Sequence, residues 1–127
     1  MSFSWGNIEI GGKFSDKWIN KKEVETMGRV IVEFSVIPLG TGDVSVSKEV
    51  TKAVKEVAAS GLKYQLTPSC TIIEGDDLSK VIEVVLKAHE AVFETGSKRV
   101  VTRINIDDRR DKKRTMEEKV EEVMKNL

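Results

Sequence analysis

The sequence predicts an α+β protein: a ferredoxin-like βαββαβ sandwich with a four-stranded antiparallel sheet, two helices on one face and an additional C-terminal helix. Three observations support this fold. Apolar residues alternate over two long runs, they recur at helical spacing in further stretches, and two short strand-like runs flank Pro68-Ser69. Two βαβ halves joined by a hairpin form such a sandwich.

The first half begins with a strand from Val30, in which apolar and more polar side chains alternate. Residues 38–42, with one proline and two glycines, predict the loop that ends this strand. A helix follows, with Ser45 or Ser47 as the expected N-cap and Gly61 as the expected end. Its apolar positions recur at helical spacing: Val46, Val50, Ala53, Val54 and Val57.

The second half begins with the hairpin, whose strands are predicted at residues 64–67 and 70–74. Asp76 or Asp77 is expected to cap the second helix, which should end at Gly96. The apolar face of this helix consists of Leu78, Val81, Ile82, Val85, His89, Val92 and Phe93.

A last strand and a last helix complete the pattern. Residues 99–107 alternate again, and one face of this strand is formed by Val100, Thr102, Ile104 and Ile106. Thr115 and Glu118 have the spacing of a capping box, which predicts the start of an amphipathic C-terminal helix.

The chain divides into residues 1–26 and residues 27–127. The first segment contains both tryptophans, Trp5 and Trp18, but no sustained helical or strand period. We interpret it as an N-terminal extension, whether natural, artificially added or the result of a misassigned start. A chain of this length fits one domain, so residues 27–127 are predicted to form the single ferredoxin-like domain.

Composition argues against several functional classes. The chain has 127 residues, and its 21 Lys plus Arg balance its 21 Asp plus Glu. This balance disfavours a non-specific binder of nucleic acid. One cysteine, Cys70, excludes an intramolecular disulfide and a zinc site built on several cysteines. Neither a signal peptide nor a long apolar run is present, so we expect a cytoplasmic protein without a membrane partner.

In the predicted fold the helices cover one face of the sheet, and the other face is open unless something covers it. This open face is expected to carry Ile31, Glu33, Ser35, Ile37, Val101, Arg103 and Asn105. Apolar side chains beside convergent polar groups are typical of an interface or a ligand site. The alternative is a solvated sheet with ordinary Glu–Arg cross-strand pairs.

An RNA-recognition domain has the same βαββαβ order, but it carries aromatic side chains on the open face of its central strands. At those positions we expect Glu33, Ser35 and, from the hairpin, Thr71 and Ile73. RNA binding is therefore not expected.

Catalytic and metal sites have little support. Cys70 and His89 are the candidate nucleophile and base, but no local signature links them, and His89 lies on an apolar helix stripe. A packed histidine and a small buried cysteine are the simpler interpretation. There is no CxxC motif and no paired histidine. Residues 107–114 are all charged and predict a solvated connector with Asp–Arg pairs; a subunit contact or an anion site using Arg109 or Arg110 is the alternative.

Several runs have a familiar order and spacing. They are Val32 to Gly40, Tyr64 to Pro68, Thr71 to Gly75, Ala88-His89 and Arg99 to Ile104. Together they resemble the thiamine-binding-like protein family, small ferredoxin-like proteins long catalogued as uncharacterised. The resemblance covers residues 28–127, which is nearly the whole chain after the extension.

The resemblance implies a homo-oligomer, commonly dimers assembled into a tetramer, in which sheets meet across subunits. It implies binding of thiamine or its hydroxymethylpyrimidine portion, with no catalysis and no required cofactor. The matching ligand-binding positions are Glu33, Ser35, Thr67, Thr71, Glu74 and Arg103, to which geometry alone adds Asn105. A carboxylate suits the ligand's amine or cation, and hydroxyl or amide groups suit ring nitrogens. The alternative function is a structural or regulatory oligomerisation module without a small-molecule ligand.

Overall fold

The computed structural model describes residues 19–20 and 29–127, and from residue 30 its elements follow the order expected from the sequence. The strands are β1 (Ile19–Asn20), β2 (Val30–Leu39), β3 (Lys63–Leu66), β4 (Thr71–Gly75) and β5 (Arg99–Asp108). The helices are α1 (Ser47–Ala59), α2 (Leu78–Phe93) and α3 (Met116–Met124). None of these described helices has the length and apolar character needed to cross a bilayer.

The sheet has the strand order β1-β3-β4-β2-β5, and every neighbouring pair is antiparallel. The order of the last four strands is that of the βαββαβ sandwich, so the predicted α+β ferredoxin-like fold is confirmed. β1 adds a short edge strand beside β3 and belongs to the predicted extension, residues 1–26. The rest of that extension lies outside the described residues, and the division at residue 27 stays a prediction.

The alternating apolar residues of β2 form the centre of the core. Val30 and Val32 are fully buried, and Phe34 and Val36 are nearly so. On the helices and β4 they meet Ala53, Val57, Ile73, Val81, Val84, Val85, Ala88 and Val92. Burial of each side chain of this size contributes about 1.5–3 kcal/mol. The alternation therefore fixes which face of β2 lies under α1 and α2.

The end of β2 and the start of α1 differ from those expected. β2 continues through Pro38 because the stretch after Phe34 pairs with β5 alone, and a strand tolerates proline at a free edge. α1 has Val46 as its N-cap residue and no side-chain cap, so the expected cap by Ser45 or Ser47 is wrong. The hydroxyls of the two serines lie 3.2 Å apart and hydrogen-bond each other instead.

The other expected helix ends are confirmed. Asp77 is the N-cap of α2 and accepts a backbone N–H through its carboxylate. Thr115 and Glu118 form the capping box at the start of α3. Gly61 and Gly96 follow α1 and α2 with φ of +80° and +99°, a region where a residue with a β-carbon is strained.

The C-terminal helix α3 contacts the face of the sheet opposite α1 and α2. Glu74 of β4 lies opposite Ile31 of β2 and opposite Lys63 of β3, so the three side chains share the open face. The first residue of α3, Met116, donates its backbone N–H to Glu74, and Glu117 pairs with Lys63. α3 therefore covers one end of the face that the sequence predicts to be open.

A larger residue at Gly75 should destabilise the fold, because a β-carbon built there would lie 2.9 Å from Cγ2 of Val81 in the core. We expect Gly75→Ala to lower the free energy of unfolding by about 1–3 kcal/mol, the usual effect of overpacking a core. Urea unfolding followed by circular dichroism measures this change.

The matched control is the same substitution in a Val81→Ala background, which removes the clashing methyl group. Gly75→Ala should cost clearly less there, because the two residues are in contact and their effects are coupled. An equal cost in both backgrounds would contradict the steric explanation.

Candidate functional site

The register between β2 and β5 groups four of the predicted site residues at the centre of the open face. Glu33 lies opposite Asn105, and Ser35 lies opposite Arg103. Directly opposed residues share a face of the sheet, so the expectation that these side chains lie together is confirmed. We call Glu33, Ser35, Arg103 and Asn105 the central cluster.

Both carboxylate oxygens of Glu33 contact neighbouring side chains. Its Oε2 accepts a hydrogen bond from Nδ2 of Asn105 at 2.7 Å. Its Oε1 lies 3.9 Å from Sγ of Cys70, which is a weak donor. The Glu33 side chain is exposed, so Asn105 fixes the orientation of a carboxylate that still has acceptor capacity for a ligand.

Arg103 is the exposed cation of the central cluster. Its side chain makes no hydrogen bond or ion pair with any residue of the described part of the chain. The register explains this, because Ser35 stands opposite Arg103 while Glu33 is held by Asn105. The ordinary Glu–Arg cross-strand pair considered from the sequence is not formed.

An apolar strip continues from the central cluster towards the end of β2. Ile37 lies opposite Val101, and the two side chains are 42% and 37% exposed. Leu39 lies on the same face and is 38% exposed. We call Ile37, Leu39 and Val101 the apolar strip. Its position beside polar groups is typical of a surface that is covered by a ligand or partner.

Thr67 holds the turn of the β3–β4 hairpin. Its Oγ1 donates to the carbonyl oxygen of Cys70 at 2.9 Å and accepts the backbone N–H of Cys70 at 3.0 Å. Such hydroxyl bonds stabilise turns. Thr67 therefore acts within the hairpin and positions Cys70 near Glu33.

The expected placement of Thr71 and Ile73 on the open face is wrong. β4 aligns both residues with core-facing residues of β2, and both are buried under the helices. Ile72 and Glu74 occupy the open face instead. A shift of one residue exchanges the two faces of a strand, and the register set by the hairpin turn decides between them.

Glu74 lies apart from the central cluster, beneath α3. Its Oε1 is 3.2 Å from Nζ of Lys63 and accepts the N–H of Met116 at 2.8 Å. Lys63 Nζ is also 2.5 Å from Oε1 of Glu117. Glu74 and Lys63 are only 2% and 1% exposed. Sequence reasoning missed Lys63, which it placed just before the hairpin; its position opposite Glu74 follows from the register alone.

A groove of about 200 Å³ lies where α1, the hairpin turn and β2 meet. It brings together three predicted site residues: Ser35, Thr67 and Thr71. Cys70 and apolar residues such as Val50 and Val54 of α1 form the rest of its wall. The groove adjoins the central cluster through Ser35, which belongs to both.

The contacts of His89 and Cys70 do not bring them together. His89 Nδ1 lies 2.6 Å from Oγ1 of Thr102, and its ring packs edge-on against Phe93. Cys70 is half-buried and contacts Thr67 and Glu33. Within residues 19–20 and 29–127, no group of three or more His, Cys, Asp or Glu could hold a metal ion.

The charged connector after β5 forms the expected Asp–Arg pairs. Arg110 lies 2.8 Å from Asp108, and Arg109 lies 2.6 Å from Asp111. The hydrogen bond from Arg110 lowers the pKa of Asp108, and that from Arg109 lowers the pKa of Asp111 to about 2. All four charges are therefore present at neutral pH.

Comparison with known proteins gives the family. A family model described as thiamine-binding protein matches residues 32–124. The chain belongs to the thiamine-binding protein family. One relative, a UPF0045 protein of Staphylococcus xylosus, is 52% identical to this chain over 101 residues, covering 76% of this chain and 94% of that protein. A UPF0045 protein of Methanothermobacter thermautotrophicus is 41% identical over 98 residues, covering 77% and 99%.

Solved structures agree with this family. A hypothetical protein from Methanocaldococcus jannaschii has a TM-score of 0.68 and 38% identity, covering 75% of this chain and 95% of that one. A Thermotoga maritima protein described as a "putative thiamine biosynthesis/salvage protein" has a TM-score of 0.62 and 28% identity, covering 74% and 97%. The family resemblance seen in the sequence is confirmed.

The buried Lys63 should be essential for stability. Lys63→Met removes the cation beside Glu74 and so breaks a buried ion pair, and we expect a loss of about 3 kcal/mol in the free energy of unfolding. Urea unfolding at pH 7 measures the loss.

Lys52→Met is the matched control, because Lys52 forms an exposed pair with Glu94 at 3.7 Å. This control should change the free energy of unfolding by less than about 0.5 kcal/mol. Similar losses for both variants would show that burial of the Lys63 pair has no special effect.

Proposed function

We propose that this protein is a non-catalytic binding protein for thiamine or a related aminopyrimidine, and that it acts as a homo-oligomer. The observation that carries the proposal is the oriented carboxylate of Glu33 at the centre of the open face, in a chain of the thiamine-binding protein family. The description of the Thermotoga maritima relative supports the same ligand class. The cytoplasmic location expected from the sequence stays a prediction.

The central cluster suits the chemistry of this ligand. An aminopyrimidine presents an amine that donates and ring nitrogens that accept, and thiazolium carries a positive charge. Glu33 accepts from the amine or attracts the cation, while the Asn105 amide and Ser35 hydroxyl supply further hydrogen bonds. The apolar strip beside them supplies contact area for the rings.

Oligomerisation is proposed from the apolar strip. Ile37 and Val101 would remain in water in a monomer, and a second subunit packed on the open face would bury them. Such packing would also exclude water from Glu33 and strengthen its interaction with a cation. A dimer or tetramer formed in this way would enclose the ligand between subunits.

Replacement of Glu33 tests whether this carboxylate binds thiamine or hydroxymethylpyrimidine. In isothermal titration calorimetry with thiamine and hydroxymethylpyrimidine, Glu33→Gln should weaken binding about tenfold or more, because it removes a charge-assisted hydrogen bond. Glu90→Gln, on the exposed side of α2, is the matched control and should leave affinity unchanged. If neither ligand gives heat at millimolar concentration with the unmodified protein, the proposal is rejected.

A substitution in the apolar strip tests whether the open face is the interface between subunits. Ile37→Asp should shift the protein towards monomer in sedimentation velocity, because a carboxylate would be buried in the proposed interface. Leu86→Asp is the control, since Leu86 is 54% exposed on α2, on the other side of the sheet. Equal association of Ile37→Asp and the unmodified chain would rule out the open face as the interface.

A structural or regulatory oligomerisation module without a small ligand is the second candidate. The exposure of the apolar strip favours it, because such a surface suits a protein partner as well as a ligand. The two candidates differ in one measurement: the module would lose assembly with Ile37→Asp but give no heat with thiamine or hydroxymethylpyrimidine.

A further inference from the structure

A second, basic cleft lies at the end of the open face where α3 begins. It has a volume of about 170 Å³ and is lined by Arg29, Ile31, Asp107, Arg109, Arg114 and Lys119. We call it the basic cleft. Four of its six lining residues are cations and one is a carboxylate, in a chain whose charges balance overall.

Backbone contacts hold two of these cations together. Arg29 donates its N–H to the carbonyl of Gly75 at 3.1 Å, and its own carbonyl accepts the N–H of Arg109 at 3.0 Å. The other two cations flank or lie on the first turn of α3, whose start is fixed by the capping box. The cleft is therefore assembled by strand ends and a capped helix.

The carboxylates that pair with the cleft arginines leave donor capacity unused. Arg109 gives two N–H groups to Asp111. Arg114 lies 3.8 Å from Glu122 and donates one N–H to the backbone carbonyl of Glu118 at 3.3 Å. Neither carboxylate lines the cleft. A guanidinium has five N–H donors, so a bidentate partner leaves three for another anion.

Arg29 is likewise paired with a carboxylate outside the lining, since Oδ1 of Asp108 lies 3.2 Å from its Nε. This Nε–H is buried and makes no hydrogen bond within the described residues, so it is not presented to the cleft. Inside the cleft the only lining carboxylate of the described chain, Asp107, is already paired with Lys119. The carboxylates that pair with the three arginines lie outside the lining, so the polar groups that the cleft itself presents are mostly N–H donors. Such a lining suits a phosphate oxygen rather than an amine or a metal ion.

The basic cleft adjoins the central cluster. Ile31 and Asp107 are directly opposed, and the next pair on the same face is Glu33 and Asn105. Two residues along a strand span roughly 7 Å. In thiamine phosphate the aminopyrimidine and the phosphate are at opposite ends of the molecule, so one ligand could contact both places.

We propose that the basic cleft binds a phosphate group carried by the ligand of the central cluster, so that the protein prefers the phosphate ester of thiamine to thiamine itself. This inference rests on the proposed function for the identity of the ligand. It concerns a different set of residues, and it is tested separately.

The experiment compares thiamine, thiamine monophosphate and inorganic phosphate by isothermal titration calorimetry at one ionic strength. The unmodified protein should bind the monophosphate about tenfold more tightly than thiamine, as expected from one or two charge-assisted hydrogen bonds. Arg109→Gln and, separately, Arg114→Gln should reduce the ratio of the two affinities to about two or less. Circular dichroism verifies that each variant is folded.

Arg110→Gln is the matched control. Arg110 belongs to the same connector and pairs with Asp108, but its side chain is 71% exposed and does not line the cleft. This variant should keep the tenfold ratio. If it lowers the ratio as much as Arg109→Gln, the preference comes from general surface charge and the inference is wrong. A loss of the ratio in Arg103→Gln alone would place the phosphate at the other side of Glu33 and also overturn it.

The outcomes separate the inference from the proposed function. Equal affinities for thiamine and its monophosphate would reject the basic cleft and leave the proposed function in place. If neither thiamine nor hydroxymethylpyrimidine gives heat, the proposed function fails, and the titration with inorganic phosphate then tests the basic cleft independently. Phosphate binding that Arg109→Gln removes would support the cleft, and no phosphate binding would reject it.

Discussion

The buried ion pair between Lys63 and Glu74 decides how much of the second face of the sheet is open. Both side chains are almost completely buried on that face, where a charge is costly unless it is paired. The same carboxylate accepts the first N–H of α3, and the same ammonium reaches Glu117. The position of the helix follows from this pair, and with it one wall of the basic cleft.

The chemical character of the open face therefore changes along β2, from charged to polar to apolar. Ile31 lies beside the cations near α3, Glu33 and Ser35 lie in the middle, and Ile37 and Leu39 are exposed at the far end. A ligand with a cationic ring between a polar heterocycle and an anionic tail matches the charged part of this gradient. A second subunit matches the apolar part. The two functions of the face need not compete, because they use different stretches of the same strand.

The fold and the central cluster were predictable because β2 and β5 are long. Ten residues of alternation leave one choice of face, and opposed residues then follow from antiparallel pairing. β4 has five residues with two adjacent isoleucines, so its pattern suits either face. Its register depends on the turn that Thr67 holds, and this reversed the expected position of Thr71. The network of Lys63, Glu74 and Glu117 joins three distant parts of the chain and has no local signal.

The net charge of the sequence likewise does not reveal how the charges are arranged on the folded surface. A balance of 21 cations and 21 anions correctly describes the field far from the protein, where it disfavours attraction of a polyanion. Close to the surface, only the arrangement matters, since charges beyond about 8 Å are screened at physiological salt. The connector mixes both signs of charge along the chain, but Arg109 lines the cleft and its partner Asp111 does not. A neutral chain thus presents a cavity lined mainly by cations beside a carboxylate, an arrangement suited to a small ligand that carries both signs of charge.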